Sequence, residues 1–177
     1  MYRVNIMCSI DWTALGTWAL VETTLFLVIY QVRISREQMK VKIGLDFADK
    51  FDNNAMKLAR SKLAKQILAK VDHDSIQEEV INLFEDIGTF LRRNYLDEEL
   101  IWATFSFYAI RWWSVCKDYI LEERKRQDND QTIFEDFENL VDVLYKVESK
   151  RRKLPRAKLE PDQDDINKFL KDEINLV

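Results

Sequence analysis

The residues of this chain whose types could support catalysis are few and scattered. Ser61, Ser106 and Ser114 have no histidine within reach in the sequence, so none of them carries the signature of an activated nucleophile. The single histidine, His73, lies in a turn between two helical stretches, where it is typical of a loop or cap residue. Carboxylates occur as adjacent pairs, and the Glu-x-x-His spacing of metal-bridging helical bundles is absent from the sequence. We therefore expect no catalytic residues and no enzyme activity.

Cofactor sites lack their signatures as well. Gly16, Gly44 and Gly88 lie far apart, whereas a phosphate-binding loop needs clustered glycines. Two cysteines and one histidine are too few for a zinc site built from these residues. The formal net charge of -4 gives no general attraction for nucleic acid. We expect no cofactor, no metal and no nucleic-acid partner.

Residues 12–32 form a long apolar stretch in which Glu22 is the only charged residue. A helix of this length spans about 30 Å, the thickness of the hydrocarbon core of a bilayer. The stretch predicts a transmembrane helix, preceded by a short extracytoplasmic segment at residues 1–11. The alternative is a soluble helical protein in which residues 12–32 are part of the core.

Basic residues follow the apolar stretch, and they predict its orientation. The C-terminal flank holds Arg33, Arg36, Lys40 and Lys42, whereas the N-terminal flank holds only Arg3. Because basic residues favour the cytoplasmic side, we expect the N-terminus outside and the body of the protein in the cytoplasm.

Glu22 lies near the middle of the predicted span, where an ionised carboxylate is costly unless it is paired. Thr17, Thr24 and Gln31 lie on a second polar stripe of the same helix. We expect these four residues to form an intramembrane helix contact, in a homo-oligomer or with a partner subunit. The alternative is a protonated Glu22 that is tolerated beside the threonines.

Beyond residue 33 the pattern predicts successive helices, and hence an all-α fold with a cytosolic bundle of about five helices at residues 33–150. Asp52 or Asn53 is the predicted N-cap of one helix, and Asp97 opens another. Ser75 with Glu78, and Thr132 with Glu135, have the capping-box spacing. The helix after Asp97 is apolar on most sides and contains Arg111, which we expect to pair with Glu85 or Asp86 if it is buried; the alternative is a binding-site arginine.

Residues 151–177 read as a basic linker followed by a short amphipathic helix. The linker is solvated, or it contacts an anionic surface such as lipid headgroups or nucleic-acid phosphates, through Arg151, Arg152, Lys153 and Arg156. The helix is predicted to dock in a groove, either on its own bundle or on another protein. Its apolar residues are Ile166, Phe169, Leu170 and Ile174.

Three stretches carry a family resemblance: VIYQVRISREQ, FDNNAMKLARSKLAK and VINLFEDIGTFLRRNYLDEELIWATFSFYAIRWW. They resemble a bacterial family of single-span, membrane-anchored helical proteins known only as a domain of unknown function, over about residues 12–145. The resemblance implies a protein of the bacterial inner membrane with a small cytosolic helical body. It transfers no activity and no catalytic residues.

These features predict a membrane-anchored interaction or scaffold protein, an accessory subunit of a membrane complex that binds a macromolecular partner through its bundle. Homo-oligomerisation is the other expected form of assembly. The alternative functions are a small membrane-perturbing effector of a defence or toxin system, and the soluble helical protein described above.

Overall fold

The computed structural model describes residues 12–71 and 76–176, which form α-helices and one short 3₁₀ turn and contain no strand. The all-α class predicted from the sequence is confirmed. The helices are α1 (Trp12–Asp52), α2 (Asn54–Ala69), α3 (Glu79–Arg92), α4 (Glu98–Arg126), α5 (Glu135–Arg152) and α6 (Gln163–Ile174), with the 3₁₀ turn at Arg156–Lys158.

The chain divides into two compact units, Met1–Met39 and Lys40–Val177. Helix α1 contains residues of both units. The predicted extracytoplasmic segment at residues 1–11 and the turn that contains His73 lie outside the described residues.

The first unit contains the segment that was predicted to cross a membrane. Among the described residues, no helix combines the length and the apolar character that a membrane crossing requires. The prediction of a transmembrane helix at residues 12–32 is therefore not supported. Polar residues within the stretch, including Glu22 and Gln31, lower its hydrophobicity. The described side chains from residue 20 to residue 32 are exposed. The alternative prediction, that this segment is part of the core of a soluble protein, stays a prediction.

In the second unit, α3 and α4 supply most of the large core side chains, as the broad apolar surface of α4 predicts for that helix. The Phe84 ring on α3 stacks on the Phe137 ring of α5, with 5.1 Å between centroids. The Trp112 ring on α4 meets the Phe169 ring of α6 edge to face at 5.3 Å. Helix α5 packs on α3 and α4, and α6 packs on α2 and α4. The core of the bundle therefore includes both C-terminal helices.

Two N-caps predicted from the sequence are confirmed. The Asn53 side chain accepts a hydrogen bond from the Met56 amide at 2.7 Å, and the Asp97 side chain accepts one from the Leu100 amide at 2.9 Å. Each bond satisfies an amide that has no partner within its helix, which explains why α2 and α4 begin where they do.

Of the two predicted capping boxes, the one at Thr132 is not found and the one at Ser75 cannot be described. Ser75 lies outside the described residues, and α3 begins at Glu79 without a side-chain cap from Glu78. Thr132 hydrogen-bonds to Asp130 instead of capping α5, which begins only at Glu135. The amides in the first turn of α5 are satisfied by another helix, as shown below.

The buried Cys116 leads to a prediction about thiol reactivity. Burial on α4 raises the pKa of its thiol to about 12, so the reactive thiolate is scarce in the folded protein at pH 8. In a Cys8→Ser background, we expect an aromatic disulfide reagent to label Cys116 only when denaturant opens the bundle. Labelling of the folded protein as fast as that of the unfolded chain would contradict the buried position.

Candidate functional site

The first unit presents a continuous apolar surface on α1. Nine of its residues are 46–71% exposed, and we refer to them together as the apolar helix surface: Leu20, Val21, Leu25, Phe26, Leu27, Val28, Ile29, Tyr30 and Val32. Because successive helical residues are rotated by about 100°, the five consecutive apolar residues from Leu25 to Ile29 surround the helix on all sides. Helices of soluble proteins usually expose a polar face, so this surface is the strongest candidate interaction site in the first unit.

The predicted intramembrane contact residues lie along the same helix. Glu22, Thr17, Thr24 and Gln31 are all exposed. The Thr24 hydroxyl donates to the backbone oxygen of Leu20 at 2.8 Å, a bond within the helix that reduces the cost of placing a threonine in apolar surroundings. The contact that these four residues were predicted to form with another helix stays a prediction.

Glu85 on α3 caps the first turn of α5. Its carboxylate accepts hydrogen bonds from the backbone amides of Phe137 at 2.6 Å and Asp136 at 3.3 Å. Burial raises the pKa of Glu85, and the two amide bonds oppose this rise. Phe134, the residue before α5, has a left-handed backbone (φ 53°) and makes no side-chain cap. The terminus of α5 therefore depends on a residue about fifty positions earlier in the chain.

Asp136 is the second link between α3 and α5. It is buried, accepts a hydrogen bond from the Thr89 hydroxyl at 2.6 Å and forms an ion pair with Arg92 at 2.6 Å. Burial raises the pKa of the Asp136 carboxyl. The hydrogen bonds from Arg92 and Thr89 lower this pKa by a larger amount, so it lies below its usual value. Together with Glu85, these contacts give the EDIG motif of the family resemblance a structural role.

The ion pair with Glu85 or Asp86 that was predicted for a buried Arg111 does not form among the described residues. Glu85 is engaged by the α5 amides, and Asp86 pairs with Lys50 on the surface at 3.3 Å. Arg111 is only partly buried and donates to the backbone oxygen of Phe107 at 3.1 Å, with its guanidinium 3.8 Å above the Phe107 ring. Because Arg111 is accessible to solvent and its guanidinium contacts the Phe107 ring, its charge is stabilised without a buried carboxylate partner.

Of the four linker residues predicted to contact an anionic surface, the three arginines have partners within the described part of the chain. Arg151 pairs with Glu99, Arg152 pairs with Glu148, and Arg156 pairs with Asp142 at 2.5 Å. Lys153 is exposed and ends α5 in a left-handed conformation (φ 55°). These pairs leave less free positive charge on the linker than the sequence alone indicates, and its contact with an anionic surface stays a prediction.

The amphipathic C-terminal helix, α6, packs on its own bundle. Ile166, Phe169 and Leu170 are buried, and Ile174 packs against the core from a partly exposed position. In this structure the chain itself covers the apolar face of α6, which was one of the two predicted ways of docking.

A buried ion pair that the sequence analysis missed holds α6 to α2. Arg60 and Glu173 are 2% and 3% exposed, and they form two hydrogen bonds, of 2.7 Å from Nε and 2.8 Å from Nη2. The Arg60 guanidinium also lies 3.9 Å above the Phe51 ring. In the sequence, Arg60 lies in an apolar stripe with Met56, Leu63 and Ile67. A charged residue in an apolar stripe is the signal from which a buried ion pair could have been predicted.

Within the described parts of the chain, no group of three or more His, Cys, Asp and Glu side chains is arranged to hold a metal ion. The buried charged groups identified above are paired with other parts of the same fold. They are therefore structural contacts, and the candidate sites are surfaces.

Comparison with known proteins supports the family resemblance. A family model described as a domain of unknown function (DUF4760) matches residues 18–143, more than half of the chain. The match runs from α1 into α5 and ends before α6. No curated protein and no solved structure is significantly similar to the chain.

Proposed function

The chain belongs to the DUF4760 family, and we propose that it is a membrane-associated interaction protein. In this proposal, lipid covers the apolar helix surface of α1, and the bundle from residue 40 onwards binds a macromolecular partner. The observation that carries the proposal is the exposure of apolar side chains on all sides of residues 25–29. A helix with this surface is stable only when lipid or protein replaces water around it.

The residues that flank the apolar helix surface favour lipid over a second protein. Arg33, Arg36, Lys40 and Lys42 follow it closely in sequence, and basic residues next to an apolar segment are attracted to anionic headgroups. Trp18 is 68% exposed at the beginning of the segment and Tyr30 is 55% exposed near its end. Both residue types are enriched where a bilayer meets water.

The partner-binding part of the proposal rests on exposed aromatic residues of the bundle. Phe90 and Tyr95 are 37% and 52% exposed, and their rings are 6.1 Å apart. Phe90 is in turn supported by the buried Phe47, with 5.4 Å between ring centroids. A rigid aromatic pair on a packed base is typical of the residues that dominate protein–protein contacts.

Fractionation of cells that express the full chain tests membrane association. We expect the protein to stay in the pellet after a carbonate wash, because lipid shields its apolar helix surface. The triple variant Leu25→Gln, Phe26→Gln and Ile29→Gln should move to the supernatant. The matched control replaces three exposed leucines of the bundle with glutamine (Leu58, Leu68 and Leu121) and should stay in the pellet.

Two outcomes would overturn the lipid proposal. One is recovery of the unaltered protein in the supernatant after high-speed centrifugation without detergent. The other is a soluble oligomer that dissociates in the triple variant, which would show that copies of the helix cover one another.

A further inference from the structure

The second unit contains a charged cleft that suggests a ligand-binding function. This function goes beyond membrane association and does not depend on it. The cleft lies between α4, the end of α5 and the segment that leads into α6, and it holds about 360 Å³. This volume is within the range of about 300–1,000 Å³ that is usual for small-molecule sites. Its walls combine charged groups with apolar side chains of Ile110, Leu154, Leu159 and Pro161.

The carboxylates that line the cleft are partly neutralised. Glu148 is buried and accepts a hydrogen bond from the Trp102 indole N–H while it pairs with Arg152. Glu160 lies 3.6 Å from Arg156, which also pairs with Asp142. Asp165 lies in the first turn of α6, where the helix dipole stabilises a negative charge.

Two cations of the cleft are not neutralised. Arg111 and Lys158 both line it, and neither makes an ion pair within residues 12–71 and 76–176. Arg111 is also held in place, because the Phe107 carbonyl and the Phe107 ring fix its guanidinium. An arginine that is already oriented loses little entropy when it binds an anion.

We propose that this cleft binds a phosphate monoester attached to an apolar body. Arg111 donates to the phosphate oxygens, Lys158 supplies the second positive charge, and the apolar wall receives the organic group. Guanidinium and ammonium groups together match the charge of a phosphate monoester, and arginine binds its oxygens with two parallel hydrogen bonds. The source of the ligand is either a soluble metabolite or a lipid headgroup, since both present the same chemistry.

Calorimetric titration of the full-length protein tests the proposal with phenyl phosphate as the probe. We expect phenyl phosphate to bind about tenfold more tightly than inorganic phosphate, which lacks the apolar body, or benzyl alcohol, which lacks the charge. Arg111→Gln and Lys158→Gln should each weaken binding by about tenfold, as expected for the loss of a charged hydrogen bond. Lys125→Gln makes the same change of charge on an exposed residue of α4 away from the cleft and should leave the affinity unchanged.

Vesicles separate the two sources of the ligand. If the natural ligand is a lipid headgroup, adding phosphatidic acid to phosphatidylcholine vesicles should increase binding of the unaltered protein but not of Arg111→Gln. If it is a soluble metabolite, phosphatidic acid should have no effect that depends on Arg111, whereas phenyl phosphate still binds. The proposal is overturned if neither phenyl phosphate nor phosphatidic acid shows binding that depends on Arg111, provided that the thermal midpoint of Arg111→Gln matches that of the unaltered protein.

Discussion

Replacing Gly88 with alanine is expected to lower the free energy of unfolding by about 3 kcal/mol or more. A Cβ atom at this position would lie 2.0 Å from the backbone oxygen of Asp136 and 2.5 Å from its carbonyl carbon. Because both are backbone atoms, α3 and α5 would have to move apart. That movement would also lengthen the bonds from the α5 amides to Glu85 and from Thr89 to Asp136. Chemical denaturation followed by circular dichroism measures the effect.

Gly44→Ala is the matched control for this prediction. Its new Cβ would approach only side-chain atoms, with the end of Leu100 nearest at 2.8 Å, and that side chain can rotate away. Since alanine favours a helix over glycine by about 1 kcal/mol, Gly44→Ala should be neutral or slightly stabilising. Equal stability of the two variants would contradict the close approach of α3 and α5.

The second large effect concerns the buried ion pair between Arg60 and Glu173. Arg60→Met is expected to cost about 3–5 kcal/mol, because it leaves the Glu173 carboxylate buried without its partner. Glu173→Gln should cost less, since the glutamine still accepts a hydrogen bond from Arg60 and the Phe51 ring still contacts the guanidinium. In Arg60→Met, hydrogen exchange should show that α6 separates from the bundle before the other helices unfold.

The double variant Arg60→Met, Glu173→Leu distinguishes an unpaired charge from a simple loss of packing. It removes both charges and should recover most of the stability lost in Arg60→Met. Asp86→Asn is the surface control, since Asp86 and Lys50 are each about half exposed and their pair contributes about 1 kcal/mol or less. A double variant as unstable as Arg60→Met would show that packing, and not the unpaired charge, explains the loss.

Helical structure in this protein follows largely from local sequence. The all-α class, the long helix α4 and the N-caps at Asn53 and Asp97 could be predicted because each depends on residues within one or two turns of a helix. The family was recognised from the stretch around Phe84 to Trp113, which is also within the matched region. The candidate surface on α1 was likewise visible as an apolar stretch, although the inference that it crosses a membrane was not supported.

Contacts between residues that are distant in sequence were determined only by the tertiary structure. The Thr132 capping box failed because Glu85, from α3, reaches the first amides of α5 instead. Glu85 and Asp86 were the predicted partners of a buried Arg111, but the packing of α3 on α5 gives Glu85 another role.

The same limit applies to Arg60 and Glu173, which are 113 positions apart in the chain. Helical periodicity indicates which face of a helix is apolar. It does not indicate which other helix will pack against that face. The sequence by itself therefore determined the helices and their apolar faces. The choice of partner for each buried charge depended on how those helices pack, because a buried charge is stable only where the fold places its counter-charge within hydrogen-bonding distance.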